Sequence, residues 1–133
     1  MLLYIPYLSL IAALVLAYWP RSVAAKEMAR LPGGYDNREP RNQQTRLEGV
    51  GSRALSAHLN GMEAFPMFGI AVLAAMQRSV NILWVVALCA VFLAARFTFV
   101  LAYLNDRSSL RSLMFLVGAL ACVVLLGCAT FHG

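Results

Sequence analysis

Asn60 and Glu63 lie three residues apart in Arg53-Ala-Leu-Ser-Ala-His-Leu-Asn-Gly-Met-Glu-Ala-Phe-Pro66, which leads directly into the apolar run 69–76. A carboxylate at the centre of a bilayer costs about 2.5–3.5 kcal/mol or more, so one retained beside such a run is a candidate functional group. On a helix, Arg53, Asn60 and Glu63 fall on roughly one side. Further along, Arg96 and Tyr103 are seven residues apart on one face with Phe99 between them, and Arg111-Ser112 opens the last apolar run. Three arginines, an amide, a carboxylate, a phenol and a hydroxyl therefore converge on one end of the chain's apolar segments. The set suits a small anionic, zwitterionic ligand: guanidinium forks match carboxylates in bidentate fashion, and Glu63 accepts from an ammonium. A buried Arg96–Glu63 ion pair is expected, because both residues lie two to three turns inside the same membrane face and pairing lowers the cost of both charges. The alternative is an Arg96 that snorkels toward the near surface.

These residues need a scaffold, and composition defines it. The chain has 133 residues, 61% hydrophobic and only 13% charged, against about 25% charged in soluble domains. Four segments, 2–19, 54–76, 80–104 and 113–131, approach the ~20 residues that cross a ~30 Å hydrocarbon core as a helix. No ten-residue stretch alternates with the period of two that a barrel strand needs. The expected fold is all-α and integral to the membrane, a single domain over 1–133 built as a four-transmembrane-helix bundle. Met1 to Pro6 lacks the basic residues of a signal peptide, so the first segment reads as a spanning helix.

Ahead of Arg53, the long connection 20–53 holds Arg21, Lys26, Arg30, Arg38, Arg41 and Arg46, six of the eleven basic residues. Lys and Arg accumulate in cytoplasmic loops, so connections one and three are expected on the cytoplasmic side and both termini outside. Within that connection, Leu31-Pro-Gly-Gly-Tyr-Asp-Asn-Arg-Glu-Pro40 is dense in turn formers and predicts a folded turn. The net charge of +5 follows from this loop topology and from anionic headgroups, and no basic helix with interleaved aromatics points to nucleic acid. Cys89, Cys122 and Cys128 all lie inside spans, where packing is their expected role. His58 has no second ligand at helical spacing, so no metal site is expected. His58 is expected to pack or hydrogen-bond, and His132 to have no specific role. Pro66 removes one helical hydrogen bond and is expected to bend the second span or free a carbonyl.

Ala57-His-Leu-Asn60-Gly-Met-Glu63-Ala-Phe-Pro66, followed by Arg96, Tyr103 and Arg111-Ser112, resembles the MAPEG family of membrane-associated proteins in eicosanoid and glutathione metabolism. The likeness spans nearly the whole chain and extends to the Tyr-Asp-Asn-Arg-Glu-Pro-Arg41 turn, which is similar to bacterial branches and so implies a bacterial inner membrane. It implies a homotrimer of four-helix protomers, with glutathione bound between neighbours and open to the cytoplasm. On that resemblance Arg53, Asn60, Glu63, Arg96 and Tyr103 are expected to bind glutathione, while Arg111 and Ser112 activate its thiol. Two positions depart from the pattern: Ser56 stands where relatives carry an Arg, which Arg53 one turn earlier replaces in this reading, and Phe99 stands where relatives offer a hydroxyl. Arg107 is the alternative to Arg111.

The function expected from this is a glutathione-dependent transferase or peroxidase acting on a lipophilic electrophile or hydroperoxide that enters from the lipid. The alternative is a non-catalytic membrane module of the same fold that binds a lipid or a partner protein. A transporter finds little support, because no half of the chain is duplicated.

Overall fold

A computed structural model describes residues 1–131. A short 3₁₀ turn, Leu2–Tyr4, leads into α1 (Ile5–Arg30), then α2 (Pro40–Gln44), α3 (Gly49–Gln77), α4 (Ile82–Leu104) and α5 (Ser108–Phe131). The four long helices are each long and apolar enough to cross a membrane, and they run up, down, up and down. Pro6 sits in the first turn of α1, where no amide donor is lost. Asn81 caps α4 by accepting from the Leu83 amide at 3.0 Å. The connections on either side of α4 close in the same way. Ser79 and Asp106 adopt positive φ (55° and 56°), and the next amides, Val80 and Arg107, reach back to the carbonyls of Ala75 and Ala102 at 3.0 and 2.8 Å. Each is a Schellman-type stop built without glycine.

The core is made of small residues. Ala13, Ala17, Ala57, Ala71, Ala75, Ala95 and Ala121 are buried, while Leu8, Ile11, Val15, Leu73, Leu83, Trp84, Leu120 and Val123 point outward. This is the distribution of a lipid-embedded bundle, in which close backbone approach replaces burial of large side chains as the source of helix association. Larger side chains fill the spaces between them: Leu125, Val72 and Val85 are fully buried, and Phe68 and Phe92 are stacked with ring centroids 3.9 Å apart. α1 packs chiefly against α3 and α4 against α5. At the α1–α3 crossing a Cβ on Gly61 would stand 2.9 Å from Ala17 Cα. One turn away, His58 Nδ1 lies 2.8 Å from the Ala17 carbonyl, next to the carbonyl that Pro20 leaves without a helical donor. His58 is thus a hydrogen-bonding residue at a helix crossing.

Hydropathy marks where the bilayer ends and not where the helices end. The expected 20–53 connection is shorter than the sequence suggests: α1 continues through Pro20 to Arg30, and α3 begins at Gly49. Ala24, Met28, Leu47 and Ala54 form a second small core around these extensions, which gives them tertiary support beyond the apolar span. α5 likewise starts at Ser108, five residues before its apolar run. Pro66 lies inside α3 without interrupting it.

Candidate functional site

The polar residues of α3 and α4 meet at the end of the bundle that carries most of the arginines. Arg96 is 5% exposed. Its guanidinium lies over the Phe99 ring, 4.1 Å from the centroid, and Nη1 donates to Asn60 Oδ1 at 2.9 Å. Phe99 in turn meets Tyr103 edge-on at 5.3 Å, and the Arg111 guanidinium covers the Tyr103 ring at 4.6 Å. The result is a continuous ladder, Asn60–Arg96–Phe99–Tyr103–Arg111, in which two cations are held on ring faces. Phe99 has no hydroxyl to offer, and its role here is to carry Arg96.

Two adjoining depressions share Asn60 and Phe115. The upper one, about 200 Å³, is lined by Asn60, Phe99, Tyr103, Arg111, Ser112 and Phe115. The lower one, about 100 Å³, runs between α3 and α5 past Glu63, Met67, Phe92, Arg96 and Gly118 to Cys122. Together they form one groove, polar near the basic end and apolar toward the middle of the bundle.

The expected Arg96–Glu63 ion pair does not form. Among the described residues the ion pair within 4 Å is Arg30–Glu27. Arg96 reaches toward the basic end, along Phe99, and so meets Asn60, which lies one turn nearer that end than Glu63. An amide acceptor satisfies the guanidinium without burying a second charge. Glu63 is exposed on the rim of the lower depression. Within the protomer Arg53 lines neither depression; its Nη2 donates to the Leu104 carbonyl at 3.4 Å, and its Nε is buried without a partner. Arg107 lines a separate hollow with Asp106 and Ser108. Arg111 and Ser112 thus face the groove where Arg107 does not. Met67, Phe92, Phe115 and Gly118 went unnoticed in the sequence, and Cys122 was read as a packing residue, because an apolar groove wall has the same composition as an apolar packing face. Among the described residues no three of His, Cys, Asp and Glu gather around one point.

Four apolar helices with a guanidinium ladder buried at one end define an integral membrane bundle with a lateral groove. The MAPEG family model matches residues 2–131, and the chain belongs to the MAPEG family, membrane proteins of glutathione and eicosanoid metabolism. No curated protein matches it, and no solved structure does.

Proposed function

We propose that this protein is a glutathione-dependent membrane transferase or peroxidase acting on a lipophilic electrophile or hydroperoxide. The observation that carries the reading is the groove itself: its upper half presents Asn60, Tyr103, Arg111 and Ser112 together, and its lower half is apolar. Glutathione supplies two carboxylates, an ammonium and a thiol. Arg96 and Asn60 position the peptide, Tyr103 adds a hydroxyl, and Glu63 accepts from the ammonium. Arg111 stands in the first turn of α5, where its own charge and the helix N-terminus both favour an anion. A thiol with pKa near ~8.5 is lowered by such a neighbour and becomes a nucleophile at neutral pH. Ser112 supports the thiolate by hydrogen bonding. Arg53, tied to Leu104, shapes the end of α4 and is left out of this set.

In this reading the site is completed by assembly. Glu63 and the apolar rim are exposed on a single chain, and a charge on that surface of a membrane helix calls for cover. A homotrimer with glutathione between protomers provides it, with the basic loops cytoplasmic and the second substrate entering from lipid. Equilibrium dialysis of glutathione against purified protein tests the binding: saturation at or below millimolar is expected, with Asn60→Ala at least tenfold weaker. Absence of binding at millimolar glutathione overturns the reading in favour of a non-catalytic module.

A further inference from the structure

The connection between α1 and α3 is folded around one buried amide. Gln43 is 6% exposed; its Nε2 donates to the carbonyls of Met28 (3.2 Å) and Gly34 (2.6 Å), while its Oε1 accepts from the Asp36 amide at 3.0 Å. Gly33 and Gly34 turn the chain at φ 90° and 74°, and Asp36 Oδ1 fixes the next bend by accepting from the amides of Arg38 (2.8 Å) and Glu39 (3.3 Å). Outside the membrane span this fixed loop borders an open polar pocket of about 390 Å³, whose walls include Tyr35, Asp36, Arg38, Asn42 and Arg46.

The pocket is lined by two arginines and one carboxylate, Arg38, Arg46 and Asp36. Asp36 Oδ1 is engaged by backbone amides, and Glu39 accepts from the Asn42 side chain at 3.2 Å. Neither Arg38 nor Arg46 has a carboxylate within 4 Å, since the ion pair among the described residues is Arg30–Glu27. Two arginines thus line one preformed pocket without an ion-pair partner, and basic residues outnumber acidic ones there. A guanidinium pair is the side-chain arrangement best matched to the several oxygens of a phosphate group, which it meets through forked, charge-assisted hydrogen bonds. α1 runs eleven residues beyond Trp19 before the loop starts, about 16 Å at 1.5 Å per residue. The pocket therefore stands at or beyond the outer edge of the headgroup layer, within reach of water-soluble ligands.

We propose that the α1–α3 loop is a phosphate-binding site, distinct from the groove, in which Arg38 and Arg46 grip the phosphate group of a small water-soluble phosphoester and Gln43 holds the pocket open. An anionic lipid headgroup presents the same chemistry and is the second source to be distinguished.

The test titrates pyrophosphate and inorganic phosphate into purified full-length protein in a nonionic detergent at fixed ionic strength, read by thermal shift and calorimetry. Four forms are compared: wild type, Arg38→Gln/Arg46→Gln, Arg41→Gln and Gln43→Ala. Arg41 is exposed on the same short helix but lines no part of the pocket. Saturable binding is expected for wild type and, within twofold, for Arg41→Gln. The double variant should bind at least tenfold more weakly. Gln43→Ala should also weaken binding although it removes no charge. Glutathione binding in the groove should be unchanged in the double variant, so the two sites are separable. A parallel native mass measurement from nanodiscs containing phosphatidylglycerol identifies the source: a retained lipid that the double variant loses assigns the phosphate to a headgroup. Equal weakening by Arg41→Gln would reduce the effect to diffuse charge and overturn the site. So would wild-type protein that shows neither saturable phosphate binding nor retained lipid.

Discussion

Arg96 shows what a buried guanidinium needs. It is held by one amide oxygen and one aromatic face, and a hydrogen bond to a charged group is worth about 1.5–3 kcal/mol. Asn60→Leu should therefore lower thermal stability in detergent by about that amount, because it strands the guanidinium. Glu63→Gln should cost under about 1 kcal/mol, since Glu63 holds no ion pair in the protomer and the amide keeps its shape without its charge. Equal melting temperatures for the two variants would refute the assignment of Arg96 to Asn60. The spacing of Arg96, Phe99 and Tyr103 was legible as one helical face, and the structure turns that face into the ladder. Which partner on α3 receives Arg96 was not legible. Asn60 and Glu63 share a side of α3, and the choice depends on how far along its own helix the Arg96 side chain reaches.

The helices meet at alanines and glycines, so the elements are most sensitive where a backbone approaches another backbone. At Gly61 an added Cβ would meet Ala17 Cα at 2.9 Å, whereas at Gly69 nothing lies within 4 Å. Gly61→Ala should destabilise by about 1–3 kcal/mol through overpacking. Gly69→Ala should be neutral or gain up to about 1 kcal/mol from helix propensity. Thermal unfolding of both variants, followed by circular dichroism, checks the contrast, and destabilisation by Gly69→Ala alone would contradict the crossing described above. The four spans were readable from hydropathy because length and lack of charge are what a bilayer selects. The extensions of α1 and α3 beyond the bilayer were not, because their support comes from the small cluster of Ala24, Met28, Leu47 and Ala54. That cluster joins residues far apart in sequence. Gln43, which organises the loop, carried no signal beyond being one polar residue among others.

At the scale of the molecule, charge and groove lie at the same end. Arg78 is on the opposite end and Arg96 is inside, and the remaining nine of the eleven basic residues flank the groove's mouth or its adjoining loop. The topology we propose follows the positive-inside rule, with this end cytoplasmic. In a variant whose native cysteines are replaced, Asn37→Cys should be labelled only from the cytoplasmic side and Ser79→Cys only from outside, and the reverse would invert the topology. Native mass spectrometry in detergent should find three 14.6 kDa chains together, with Glu63 and the apolar rim covered. The account as a whole rests on glutathione being held as a thiolate at the first turn of α5. The most direct measurement is the ultraviolet thiolate absorbance of the glutathione-saturated protein across a pH series, wild type against Arg111→Ala. Wild type should show the thiolate band already at neutral pH, while Arg111→Ala should bind glutathione within a few-fold of wild type yet form the thiolate only near the pH of free thiol. An interaction made with the activated sulfur governs rate more than ground-state binding. Identical titration curves for the two proteins would contradict the claim.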